Sequence, residues 1–166
     1  MERDTVGEIA DLLERYRRGA ELVAVAITGA AGSELDYVPE PGKWSVRQIL
    51  CHLADSEIVA ADRFRRVAAE DGPRLIGFDG DAWARNLDYG RRKISQALET
   101  LRRTRADNYE LLAGLPEEAW PRTGSHSELG TVTLAGLLRH AAEHAEDHAR
   151  QIREVRARFR QSRAGA

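Results

Sequence analysis

Apolar residues recur at intervals of three and four along four separate stretches of this chain. That spacing places them on one face of a helix, which is typical of amphipathic helices packed around a shared core. Segments rich in proline and glycine separate the stretches, and no strand-like alternation of useful length is visible. The stretches are Ile9 to Ile27, Val46 to Val67, Ile94 to Leu112 and Leu134 to Phe159. The pattern predicts an all-α fold, a four-helix bundle.

Capping signals mark where the predicted helices begin. Thr5 with Glu8, and Ser45 with Gln48, have the spacing of a capping box, and Thr133 suits the start of the fourth helix. Two long connections remain without a predicted helix or strand. The first runs from Leu75 to Tyr89 and carries aromatic side chains that could cover either a pocket or one end of the bundle. The second begins at Gly114 and contains His126.

Composition narrows the class of protein. A length of 166 residues fits one domain, so we expect residues 1–166 to form a single unit. The net charge of -2 argues against a broad nucleic-acid surface, and no apolar run approaches the roughly 20 residues that cross a membrane. The single cysteine permits no internal disulfide, and the charged N-terminus lacks a signal-peptide core. We therefore expect a cytoplasmic protein.

Three of the five histidines stand four residues apart in the predicted fourth helix, as His140, His144 and His148. Residues four apart lie one above the other on a helical face. His144 and His148 fall within about 60° of Ala141, the centre of the buried stripe, at about 100° per residue. His140 falls at the edge of that stripe. Burying two neighbouring imidazoles is costly unless their nitrogens are satisfied, and a divalent ion satisfies two at once. A third ligand must come from elsewhere, and His52, on the shoulder of the second apolar stripe, is the best placed.

Such a set predicts a metal site with one or more coordination positions open for water or substrate, which is the catalytic pattern. All-nitrogen ligands fit zinc, nickel, copper or iron and disfavour magnesium or calcium. Gln151, one turn after His148, could hold a ligand or a metal-bound water in place. A polar core cluster without an ion is the alternative.

Other residues with possible chemistry are weaker candidates. His140, Glu143 and His144 match the His-x-x-Glu-His pattern of zinc peptidases, but Glu143 is expected to point to solvent. Arg105 lies within an apolar row, so it either pairs with an acid, reaches water or binds an anion. Cys51 is expected to be a small buried side chain. His126 is expected to be exposed and at best an auxiliary ligand.

Several motifs together resemble one known family. The segment from Pro41 to Glu57 resembles the first signature of the DinB/YfiT-like metalloenzyme superfamily, and His144-x-x-x-His148-x-x-Gln151-Ile152 resembles the second. Residues 78–84 and 126–130 are similar to the intervening loops of one branch. The resemblance extends from roughly residue 12 to residue 152.

The resemblance implies a bundle with a rearranged, up-down-down-up order of helices. It implies one divalent metal, nickel or zinc, on the residues matching His52, His144 and His148, and a homodimer. Relatives include transferases and isomerases that use low-molecular-weight thiols such as bacillithiol or mycothiol. We therefore expect a metal-dependent S-transferase, or a related transferase or hydrolase, that activates a thiol or water against a small molecule. Arg105 and Tyr89 are candidates for orienting the substrate. The alternatives are a non-catalytic metal-binding protein of stress response or interaction, and a metal-free helical interaction module.

Overall fold

Four long helices, one short helix and three short strands form the regular structure of residues 6–166, the part of the chain that the computed structural model describes. The long helices are α1 (Val6–Ile27), α2 (Val46–Ala69), α4 (Ile94–Ala113) and α5 (Leu134–Ala164). The short helix α3 spans Gly80–Asn86, and the strands are β1 (Arg74–Leu75), β2 (Thr123–His126) and β3 (Gly130–Thr133). The predicted four-helix bundle is confirmed, and its long helices coincide with the four apolar stretches.

The order of the helices around the bundle is not the order of the chain. Both α1 and α2 pack between α4 and α5, so the consecutive helices α1 and α2 lie on a diagonal. Helices α1 and α5 are parallel, because Arg15 contacts Glu146 and, further along both helices, Ala26 contacts Arg156. Helix α4 runs antiparallel to α1, because Arg102 contacts Glu21 and the later Asn108 contacts the earlier Tyr16. It runs parallel to α2, because Arg105 contacts Glu57 and Asn108 contacts Arg65. The connection order is therefore up-down-down-up, as the resemblance implied.

A small three-stranded sheet closes one end of the bundle. The prediction of a fold without strands was therefore wrong. Strand β1 pairs with β2 in parallel, and β2 pairs with β3 as an antiparallel hairpin. Each strand is four residues long or shorter, which is too short for an alternating pattern to be read. Pairing also joins segments about fifty residues apart, which no local pattern encodes.

Capping explains where α2, α3 and α5 begin. The Ser45 hydroxyl accepts from the Gln48 amide at 3.2 Å, and the Gln48 side chain accepts from the Ser45 amide at 2.9 Å, so this capping box is confirmed. The Thr133 hydroxyl caps α5 through the Gly136 amide at 2.9 Å. The box predicted at Thr5 lies outside the described residues. Asp79 caps α3 within a connection that was expected to lack any helix.

A buried polar network ties the middle of the bundle together. The Arg105 guanidinium donates to Glu57 Oε2 at 3.1 Å, to the Tyr16 carbonyl at 3.0 Å and to the Ala141 carbonyl at 2.8 Å. Glu57 also accepts from the Tyr16 hydroxyl and from the Asn108 amide. These contacts join all four long helices, and they fix α2 and α5 beside each other at the level where the histidines lie. Among the described residues, no helix is both long and apolar enough to cross a membrane.

Candidate metal centre

Helices α2 and α5 bring His52, His144 and His148 to one point. His52 Nε2 lies 3.1 Å from His144 Nε2, and His148 Nε2 lies 3.0 Å from the same atom. One nitrogen from each ring falls within 4.8 Å of the other two. The predicted convergence of these three side chains is therefore what the fold produces. The four-residue spacing on α5 supplies two rings, and the antiparallel packing of α2 supplies the third.

Gln151 sets the orientation of one ring. Its side-chain oxygen lies 2.7 Å from His148 Nδ1. Because an amide oxygen only accepts, we assign the proton of neutral His148 to Nδ1, which leaves the lone pair of Nε2 directed at the other two rings. This is the arrangement by which a neighbouring polar group orients a metal-ligating histidine. The position expected for Gln151 from the sequence is the one it occupies.

Burial keeps the three imidazoles neutral. His52 is 9% exposed, and burial followed by the nearby His148 lowers its pKa to about 4. Burial and the two neighbouring rings lower the pKa of His144 to about 2, and burial also lowers the pKa of His148. A neutral ring is the form that binds a metal ion. The site therefore presents three lone-pair donors at neutral pH.

Aromatic side chains pack against the His52 ring. The Trp44 ring packs on it with centroids 4.7 Å apart, and Phe78 lies 6.2 Å away. The Trp44 indole N–H donates to Asp81 at 3.0 Å, which ties α3 to the start of α2. A side chain on Gly80 would meet both Trp44 and His52, so this position must stay small for α3 to approach the site. The first long connection thus covers the site rather than only the end of the bundle.

The remaining histidines do not belong to the triad. His140 is exposed, and its ring stacks on that of His144 with centroids 5.7 Å apart. His126 was expected to be exposed, and this was wrong: it is 5% exposed within β2, and its Nδ1 accepts from the Glu128 and Leu129 amides. The hairpin buries it, and no pattern in the sequence indicated that hairpin. Glu143 is exposed, as expected, so it does not face the three rings.

A cavity of about 100 Å³ opens beside the triad. His52 and His144 lie at one end of it, with Ser56 and Glu57 of α2 nearby. Much of the remaining wall is apolar. It consists of Ala60, Phe64, Phe78, Leu137 and Ala141. A small molecule in this cavity would therefore contact the triad directly.

Two residues proposed for substrate orientation lie elsewhere. Arg105 is saturated by the buried network and does not line the cavity. Tyr89 is fully buried and donates to Asp55 at 2.6 Å, while Arg92 donates to the other oxygen of Asp55 at 2.8 Å. Both contacts hold the first long connection against α2. Cys51 is buried in the same region, and burial raises the pKa of its thiol to about 11, so it is not a nucleophile.

Several residues that shape the site were not predicted from the sequence. Glu57 and Asp55 stand within the first signature but received no role, although Glu57 anchors the network and Asp55 holds Tyr89 and Arg92. Trp44, within the same signature, also received no role, although its ring packs on that of His52. A signal was available for Glu57, because an acidic residue on a predicted apolar face requires a partner. Asp55 lies about 160° from that face and carried no such signal.

The three residues fit a divalent transition metal. Two bonds of about 2.1 Å from one ion to two imidazole nitrogens can span the 3.0 and 3.1 Å separations found here. Because neutral His148 donates its only N–H to Gln151, its Nε2 offers a lone pair to the space between the rings, where a cation can accept it. With one of the three rings oriented by Gln151 and a cavity on the open side, the arrangement matches a three-ligand site rather than a closed four-ligand one.

Comparison with known proteins agrees with this geometry. A family model described as the DinB superfamily matches residues 14–152. The chain belongs to the DinB superfamily. The match spans the segments that carry His52, His144 and His148, so the triad lies within the part of the chain that defines this DinB-superfamily member.

Relatives of this DinB-superfamily chain carry names that refer to metal-dependent hydrolysis. A protein of Geobacillus kaustophilus named "putative metal-dependent hydrolase" is 28% identical over 156 residues, covering 92% of this chain and 86% of the relative. YfiT of Bacillus subtilis, named in the same way, is 28% identical over 135 residues, covering 81% of this chain and 76% of YfiT.

The solved structure of Bacillus subtilis YfiT aligns with a TM-score of 0.89 at 24% identity, covering 96% of this chain and 91% of that one. It is described as a probable metal-dependent hydrolase with an unusual four-helix bundle topology. A second four-helix bundle protein aligns with a TM-score of 0.64 at 22% identity. At these identities the likeness establishes the shared fold.

Proposed function

We propose that this protein is an enzyme that uses one divalent transition metal, nickel or zinc, to activate water or a low-molecular-weight thiol against a small electrophilic substrate. One observation carries the proposal: one nitrogen each of His52, His144 and His148 lies within 4.8 Å of the others, and two of these rings, His52 and His144, line a cavity. A metal that only stabilised the bundle would be served by a fourth protein ligand and would not need a neighbouring cavity.

The roles of the residues follow from their positions. His52, His144 and His148 would hold the ion, and Gln151 would keep His148 in the tautomer that donates a lone pair from Nε2. The ion supplies Lewis acidity that lowers the pKa of a coordinated water or thiol. Trp44 and Phe78 limit the access of solvent to His52, and the apolar wall holds the substrate's body. Glu57 is held by Arg105 and two further donors, so it is not free to act as a general base.

The names of the relatives favour water as the nucleophile, so hydrolysis is the leading reaction and thiol transfer the second. The test incubates the metal-loaded protein with small esters and lactones, and separately with a thiol plus an epoxide or haloalkane. We expect turnover that disappears when a chelator strips the ion and returns when the ion is restored. Turnover that survives stripping would contradict the proposal, as would a loaded protein inert towards both sets of substrates.

A further inference from the structure

One cationic side chain in the wall of the cavity has no neutralising partner. Arg63 lies on α2 about three turns after His52 and lines the cavity. Its Nη2 donates to the Ile76 carbonyl at 2.8 Å, whereas its Nε is buried and has no acceptor. Asp62 and Glu128 favour its charge from a distance, but neither forms an ion pair with it within the described residues. The guanidinium is thus partly desolvated and incompletely bonded.

Other partly buried arginines of this protein are not left in that state. Four examples among them each form an ion pair of 3.1 Å or less with a carboxylate. The pairs are Arg47 with Asp36, Arg92 with Asp55, Arg105 with Glu57, and Arg156 with Glu34. Removing a guanidinium from water without a counter-charge is costly, so a site that does so gains from binding an anion. Arg63 differs from the paired arginines in facing the cavity.

The rest of the cavity limits what that anion is attached to. Glu57 also lines the wall, but Arg105 compensates its charge, so the uncompensated charge in the wall is that of Arg63. Apart from Arg63, Glu57, Ser56 and three histidines (His52, His140 and His144), the lining is alkyl and aromatic. A volume of about 100 Å³ admits a small organic group. A planar guanidinium is suited to a carboxylate, which can accept more than one of its N–H groups.

We propose that the cavity binds a small aliphatic carboxylate, with the carboxylate against Arg63 and the apolar body extending towards His52 and His144. In naming this molecule as the substrate the inference rests on the proposed function. The anchoring contact itself does not need the metal, because Arg63 is not one of the three residues that would hold the ion. Arg63 is therefore a specificity-determining residue, and the reacting bond belongs at the end of the substrate remote from its carboxylate.

The test compares butyrate with butyramide, its neutral isostere, by isothermal titration calorimetry on metal-free and on nickel-loaded protein. We expect butyrate to bind at least tenfold more tightly than butyramide to both forms. Arg63→Gln should abolish that preference. Arg66→Gln is the matched control, since Arg66 lies one turn further along the same helix, is exposed and pairs with Asp62 and Glu70; it should leave the preference unchanged. Arg63→Lys, which retains the charge, should keep a reduced preference.

Two outcomes overturn the inference. One is equal binding of butyrate and butyramide by the wild type. The other is butyrate binding that requires nickel and persists in Arg63→Gln, which would make the carboxylate a ligand of the ion rather than of Arg63. Failure of the proposed function has a different signature: metal-free protein would still show the preference that depends on Arg63, while the nickel-loaded protein would turn over no substrate.

Discussion

Replacing Gly19 with alanine should destabilise the protein strongly, although the same change stabilises most exposed helices. Gly19 lies within α1 and faces the buried network. A Cβ at this position would overlap Arg105 Nη1 and lie 3.1 Å from Arg105 Cζ and 2.9 Å from the Ala145 Cβ. The guanidinium would have to move away from such an atom. It could do so only by breaking its hydrogen bonds to backbone carbonyls of α1 and α5.

The magnitude follows from two opposing terms. Alanine in place of glycine inside a helix gains about 1 kcal/mol from backbone propensity. Displacing Arg105 leaves the buried Glu57 carboxylate without its cation, and breaking such a pair costs about 3–5 kcal/mol. We therefore expect a net loss of about 2–4 kcal/mol, a large fraction of the roughly 5–15 kcal/mol that stabilises a domain.

Urea unfolding followed by circular dichroism at pH 7.5, with the protein free of metal, measures this difference. Gly90→Ala provides a control, because a Cβ there meets nothing closer than 3.8 Å; we expect it to change the free energy of unfolding by less than about 0.5 kcal/mol. If Gly19→Ala instead raised the stability by about 1 kcal/mol, as at an unhindered helical position, the account of the network would be refuted.

Two further predictions concern the triad. Gln151→Ala removes the acceptor that orients His148, so we expect the metal affinity to fall roughly 10–100-fold. Competition with a chromophoric chelator measures this affinity. An unchanged affinity would show that Gln151 does not orient the His148 ring. In the folded protein the pKa of His52 is lowered to about 4, so this ring stays neutral between pH 7 and pH 5. In the unfolded chain the same ring takes up a proton over this interval. Metal-free wild type should therefore lose about 2 kcal/mol more stability over this interval than His52→Gln. Equal losses in urea unfolding at the two pH values would contradict the lowered pKa.

The sequence was informative where structure is both local and long enough to show a pattern. The long helices follow from the three-and-four spacing, and the box at Ser45 and Gln48 marks the start of α2 because both of its hydrogen bonds join residues three apart. The strands were missed because β1 is two residues long and pairs with a segment about fifty residues away. Helix α3 was missed because its seven residues are too few to show a period.

The site was predictable only in part for the same reason. His144 and His148 share a helix, so their proximity could be calculated from the sequence, whereas the approach of His52 depends on α2 packing against α5. Arg63 could not have been singled out. It stands in a sequence with two other arginines, Arg65 and Arg66, and only the fold shows that it faces the cavity while Arg66 faces solvent.

The central claim is that imidazoles from α2 and α5 hold one ion, and the metal content of the protein tests it most directly. Protein produced without a histidine tag is analysed by inductively coupled plasma mass spectrometry as wild type, His148→Ala and His140→Ala. We predict an equimolar transition metal in the wild type and in His140→Ala, and its loss in His148→Ala. Metal retained by His148→Ala but lost from His140→Ala, or a wild type that binds no transition metal at all, would contradict the account.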